Sequence, residues 1–293
     1  MPYYSIIRLM SVGSVFLIYQ FMSAKLFFSA YFAILFCHFV LSFYSSKHQL
    51  VEIVKNKKSW PFFLFLVLLS ASYPFYGLPN IILFFGVHHA LNDTYLSLHN
   101  VKSNKKIGHF ILSRFLFNLA SYLVILRTIP PIWHIPVGLL EAFLLFSLFI
   151  FAYSAYYFRE LFDKNQYKDL ILFEAVNIVV VIGSLLFAWK ITYVQFVFYH
   201  LFLWIFHPFW KMSGDQVHFN SKYLLASVVF TILFFLITPE AGLFPQITME
   251  HHLNRQIYIW GAVHVNLTFA LSRNNPHWIR SLFARSPARI MQS

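Results

Sequence analysis

The sequence predicts an all-α fold: a polytopic integral membrane bundle of about ten transmembrane helices, with both termini on the cytoplasmic side. Three observations predict it. Charged residues make up 11% of the chain, where a soluble domain carries about 25%. Apolar runs near twenty residues recur along the whole length, long enough to cross roughly 30 Å of hydrocarbon as helices. Lysine and arginine then gather in every second connection between those runs. The 293 residues are 59% hydrophobic, and no polar stretch is long enough to form a soluble domain, so the chain reads as a single membrane domain over 1–293.

The first apolar run, 5–22, overlaps the opening MPYYSIIRLM. That opening has no clear n-region and no convincing small-residue cleavage site, so the run reads as a retained anchor rather than a removed signal peptide. The second run covers 26–43, and the next two, 60–77 and 80–98, flank the turn YGLPN. Gly77 and Pro79 make that connection sharp. Runs at 109–127 and 135–157 are separated by TIPPIWHIP, where Pro130 and Pro131 stop the helix. Runs at 170–188 and 191–210 follow RELFDKNQYKD, and the last two cover 221–238 and 256–272.

The connection after the second run holds Lys47, Lys55, Lys57 and Lys58; that after the fourth holds Lys102, Lys105 and Lys106. Arg159, Lys164 and Lys168 follow the sixth, Lys211 and Lys222 the eighth, and Arg273, Arg280, Arg285 and Arg289 the tenth. The intervening connections hold Lys25, Lys190, Arg255 or nothing. Such alternation is the positive-inside pattern, and it sets ten spans with cytoplasmic ends. It also accounts for the net charge of +12 through anionic lipid headgroups, without nucleic acid. Trp60, Trp133, Trp189, Trp210 and Trp278 fall at or beyond span ends, as an interfacial aromatic belt does.

A single cysteine, Cys37, excludes an intrachain disulfide and any thiolate zinc site. No P-loop, GxGxxG, GxSxG or HExxH motif is present, so neither nucleotide-driven chemistry nor hydrolysis has positive support.

Ionisable groups at membrane depth are costly and need a partner, so those present are informative. In FGVHHALNDTYLSLHN, His88, Asn92, Tyr95 and His99 form one helical stripe, and His89 and Asp93 form the next. His200 and His207 share a face of the eighth run, His264 lies near the middle of the tenth, and His38 lies in the second. Three runs thus place a histidine near one depth: His88 or His89, His200, and His264. Neutral imidazole is the commonest metal ligand, and a carboxylate or amide usually orients its other nitrogen. Asp93, Asn92 and Glu174 offer that role, although Arg114 lies at a depth from which it can pair with Asp93. Without thiolates, an imidazole-rich site suits iron, zinc or copper. His88, His89, His200, His207 and His264 are the candidate ligands, with Asp93 and Asn92 beside them. A lone buried histidine is more often a satisfied hydrogen-bonding residue, which is the expectation for His38 and His134.

FGVHHALND resembles the His-Gly-Ala-Leu-Asp element of the Brp/Blh membrane-bound β-carotene 15,15′-dioxygenases. His88 then takes the family histidine, His89 stands at its glycine, and Asn92 at its aspartate. YHLFLWIFHPFWK resembles the family's later two-histidine helix, and WGAVHVNLTFALSRNNPHWIR its C-terminal helix, with His264 and His277 in the histidine places. The likeness covers roughly 80–280, leaving 1–79 as a three-helix N-terminal extension. It implies an iron-dependent oxygenase that takes O2 and a carotenoid, or another apolar isoprenoid, from the bilayer and cleaves it, with retinal as the carotenoid product. Two features depart from the family: its second His-Phe-Gly element is missing near the sixth run, and the two histidines of the eighth run stand seven residues apart rather than four.

Two other classes fit the same residues. A proton-coupled transporter or channel uses intramembrane His and Asp as a relay, but no inverted repeat is visible. A lipid desaturase or hydroxylase is also His-rich, but its HxxxH and HxxHH boxes are not present. A bacterial inner membrane is the expected location.

Overall fold

The computed structural model describes residues 3–21, 24–45, 86–94, 107–127, 135–187, 189 and 191–210. It also describes isolated positions between 51 and 68, residues 225–226 and 228–233, and His264. All regular structure among the described residues is helical: α1 (Tyr3–Phe21), α2 (Ala24–Ser45), α3 (86–94), α4 (Ile107–Leu126), α5 (Val137–Tyr157), a 3₁₀ turn (Arg159–Leu161), α6 (Lys164–Leu186) and α7 (Tyr193–Trp210). Four of these are long and apolar enough to cross a membrane: α1 as Tyr4–Phe21, α4, α5 and α6. Helix α7 has a shorter apolar core, Val194–Phe206. The expected spans at 60–77 and 256–272 lie outside the described residues apart from single positions or short stretches, and that at 221–238 is described only at 225–226 and 228–233, as helix.

Two compact units divide the chain. Residues 1–23 and 82–220 form the first, and residues 24–81 and 221–293 the second. In the first unit α1 packs on α6 and α7, and α4 packs on α5 and α6. Helix α4 is the central element: 61% of its span is buried, against 28% for α1 and for α5. Its burial goes nearly all round, with Phe110, Phe117, Ala120, Tyr122, Val124 and Ile125 all within the core.

Helix α5 shows what surrounds this unit. Leu140, Leu144, Ser147, Phe151 and Ser154 follow a helical stripe that faces inward. Phe151 stacks on Phe117 with ring centroids 5.2 Å apart and planes 8° apart. The opposite face carries Leu139, Leu145, Phe146 and Phe149 to the outside, Phe149 being 72% exposed. An apolar face of that extent has no place in water and is what a helix presents to lipid. Several buried hydroxyls are satisfied within their own helices, as hydrocarbon favours. Ser11 donates to the carbonyl of Ile7, Ser121 to that of Phe117, and Thr94 to that of Ala90.

The helix ends are sealed by local chemistry. Helix α6 begins at 164 rather than at the expected 170, because Asp163 closes a capping box. Its carboxylate accepts from the amides of Asn165 and Gln166 at 2.9 and 2.8 Å, while Gln166 Oε1 accepts from the Asp163 amide at 3.3 Å. Polar residues of the preceding connection are thereby drawn into the helix. Thr192 and Gln195 make the same reciprocal pair ahead of α7. Arg127, at the end of α4, donates to its own Val124 carbonyl at 2.7 Å and to the Ser184 carbonyl of α6 at 2.8 Å, capping two helix ends at once.

Helix α1 takes its cap from another helix. Asp169 of α6 accepts from the Tyr4 amide at 2.7 Å, and from the Ser5 amide and hydroxyl at 2.9 and 2.7 Å. Asp169→Ala should therefore lower stability by about 1–2 kcal/mol, the range for a lost N-terminal cap. Thermal unfolding of the purified protein in detergent measures this, and an unshifted midpoint would show that the cap contributes nothing.

Candidate functional site

Five helices of the first unit meet at a cluster of buried charge. Arg8 comes from α1, Asp93 from α3, Arg114 and Tyr122 from α4, Glu174 from α6 and Tyr199 from α7. Arg8 spans the cluster: NH2 lies 3.0 Å from Asp93 Oδ2, and NH1 lies 3.3 Å from Glu174 Oε2. Arg8 also donates to the Phe173 carbonyl at 3.1 Å and to the Tyr122 oxygen at 3.1 Å, and its guanidinium lies 4.1 Å from the Phe173 ring centroid. Arg114 Nε donates to Glu174 Oε1 at 2.6 Å, and Arg114 NH1 to the Thr94 carbonyl at 2.6 Å. The phenols of Tyr122 and Tyr199 both donate to Asp93 Oδ2, Tyr199 at 2.8 Å. Asn118 donates to Glu174 Oε1 at 3.4 Å, and Asn177 donates to Asn118.

Two guanidiniums thus face two carboxylates. All four side chains are at most 2% exposed, so the cluster is neutral and sealed from water. Asp93 Oδ1 is the one carboxylate oxygen of the cluster left without a hydrogen bond among the described residues.

The partners differ from the expected ones. Arg114 pairs with Glu174, and Asp93 goes to Arg8. Spacing along α4 does not choose between the two acids for Arg114; the packing of α6 against α4 does. Arg8 carried no role in the sequence reading. Its signal was present nonetheless: an arginine inside the first apolar run, with no acidic residue in its own helix, must find a carboxylate elsewhere.

The predicted histidines lie in both units. In the first unit His88, His89 and His200 are buried, at 3%, 1% and 3% exposure. His200 lies flat on His89, with centroids 4.1 Å and planes 10° apart, and Phe196 covers the other side of His89 at 4.6 Å. His88 meets His200 at 5.2 Å and 60°. Asn92 Nδ2 lies 3.0 Å from His88 Nε2. Asp93 Oδ2 is committed to Arg8 and the two phenols. His207 lies on α7, with its side chain outside the described residues.

In the second unit His264, at 4% exposure, meets His38 of α2. Their Nε2 atoms are 3.2 Å apart, and Phe39 packs on His264 at 5.3 Å between centroids. His38, expected to be a satisfied core residue, is therefore paired with a candidate ligand. Because sequence places the two histidines 226 residues apart, nothing local could have joined them.

The 3.2 Å spacing of the two Nε2 atoms is that of an N–H···N hydrogen bond and also that of two ligands on one ion. Two cis ligands held about 2.0–2.1 Å from one ion stand roughly 2.9–3.4 Å from each other in octahedral or tetrahedral geometry, and the His38–His264 separation falls inside that interval. Imidazoles in an apolar surrounding, without thiolate, suit iron, zinc or copper. No family model, no curated protein and no solved structure matches this chain.

Proposed function

We propose that this chain is a membrane-embedded, metal-dependent oxidoreductase acting on an apolar lipid or isoprenoid, with His38 and His264 among the ligands of its metal. The observation that carries the reading is the 3.2 Å approach of two imidazole nitrogens within the second unit. Iron is the metal proposed, and when bound it supplies activation of O2 against a carbon–carbon double bond. The likeness to the carotenoid-cleaving family makes a carotenoid the first substrate to try, with cleavage to retinal as the reaction. Ten spans, cytoplasmic termini and a bacterial inner membrane belong to the same proposal, and the lysine and arginine distribution supports the orientation.

Metal analysis tests it directly. The purified protein is expected to hold about one iron per chain, and His38→Ala and His264→Ala each to lose it while the protein still elutes as a folded, monodisperse species. A preparation that stays metal-free after loading with Fe(II) would leave the pair as a hydrogen bond between neutral rings. Expression in a carotenoid-producing bacterium gives the second readout, in which loss of orange colour reports cleavage.

One observation favours a different class. Paired Asp93 and Glu174 at membrane depth are what a proton-coupled transporter uses. Reconstituted vesicles decide between the two: uptake driven by a pH gradient, by metal-free protein, selects the transporter.

A further inference from the structure

A small cavity lies within the first unit. Val12 and Val15 of α1, Ile125 of α4, Val180 of α6 and Ile191, just before α7, line it. Its volume is about 50 Å³, far below the roughly 300–1,000 Å³ of drug-sized ligand sites. No lipid chain has room there. Arg8, Tyr122 and Tyr199 also border the cavity, but nearly all the surface it presents is carbon.

Size and surface together select the occupant. Water needs two to four polar partners to stay in such a place, and an ion would be left unsolvated. Elsewhere, a cavity of about 150 Å³ lined by Leu, Ile and Phe stays dry and takes benzene or xenon. About a third of that volume suits one diatomic gas molecule rather than a ring. Supply points the same way. Phe16 lines the cavity and is 39% exposed, on a helix long and apolar enough to cross the membrane. Dioxygen is apolar and concentrates in hydrocarbon relative to water, so the cavity stands beside the richer source.

We infer that this cavity is a dioxygen site filled from the bilayer. The choice of dioxygen among small gases rests on the oxygenase reading, whose reaction consumes it. The site shares no residue with the His38–His264 pair. It is one ring away from other buried imidazoles: Phe196 lines it and stacks on His89 at 4.6 Å, and His89 stacks on His200 at 4.1 Å.

The test uses the full chain in phosphatidylcholine nanodiscs, with isotope-labelled valine and isoleucine methyl groups observed by NMR under dioxygen pressure. Paramagnetic relaxation at Val12, Val15, Ile125, Val180 and Ile191 should exceed that at the exposed Val179 and Ile182 several-fold. Xenon added at constant dioxygen should remove that excess and leave Val179 and Ile182 unchanged. Equal relaxation at both sets overturns the inference, as does an excess that xenon does not displace. These measurements use the native sequence, so no variant has to fold. Val12→Phe adds a second arm, since it fills the space from a half-buried position. It should abolish the excess at Val15 and Ile125, and a persisting excess overturns the inference. Neither arm needs metal or activity. A protein that takes up no iron would sink the oxygenase reading and leave the gas site standing; an iron protein without the excess would do the reverse.

Discussion

Arg8→Met is expected to destabilise the protein by about 3–5 kcal/mol, the cost of removing one partner from a buried ion pair. The substitution keeps most of the side chain's volume and its contact with Phe173, so the loss is one of charge and hydrogen bonding. Asp93 and Glu174 would face Arg114 alone, and the Phe173 carbonyl would lose its donor. Arg8→Lys should recover only part, because an ammonium cannot reach Asp93, Glu174 and two further acceptors in one planar array. Arg8→Met combined with Asp93→Asn restores neutrality and should be milder than the sum of its parts. Equilibrium unfolding in mixed micelles measures all three. A single-variant loss under about 1 kcal/mol would mean that water or lipid headgroups reach the cluster and screen it.

Glu174→Gln should have an effect of similar size, about 3–5 kcal/mol, for the opposite reason. Glu174 is the acid between the two cations: Oε1 takes Arg114 at 2.6 Å and Oε2 takes Arg8 at 3.3 Å. The amide keeps the shape and leaves two guanidiniums beside one carboxylate. Two buried positive charges are then short of a counter-charge, and one amide N–H₂ points at a donor. Removing one cation as well, in Glu174→Gln with Arg114→Met, balances the charge again. The coupling between those two substitutions should fall between about 0.5 and 3 kcal/mol, in the direction of rescue. Additive losses would show that Glu174 and Arg114 act independently despite their contact.

The helices themselves were readable. Apolar runs at 5–22, 26–43, 109–127, 135–157 and 191–210 correspond to α1, α2, α4, α5 and α7 within about two residues, because hydrocarbon thickness imposes length on a membrane helix. The start of α6 was misplaced by hydropathy, which ends where charge begins; the capping box at Asp163 and Gln166 was the better signal. Burial of His88, His89 and His200 was also legible, since ionisable groups in apolar runs avoid lipid.

Pairing was not legible. Asp93 had two arginines within reach of its depth, and one-dimensional depth cannot tell which helix stands next to which. His38 looked like an isolated core residue for the same reason: its partner lies on a distant stretch of chain. Arg8 was hidden because its acids, Asp93 and Glu174, lie 85 and 166 residues further along the chain.

The long reach of Arg8 has a consequence for how the molecule is made. Glu174 follows it by 166 residues, a lag of roughly ten to thirty seconds at about 5–20 residues per second of translation. Asp93 follows sooner, 85 residues on, but until then the leading segment carries a cation with no counter-ion, and hydrocarbon is a poor place for it to wait. The nascent chain must therefore hold this segment in the aqueous vestibule of the insertion machinery, or shallow at the lipid headgroups, until its acids emerge. The segment synthesised first is then expected to settle only after the later helices that carry its acids.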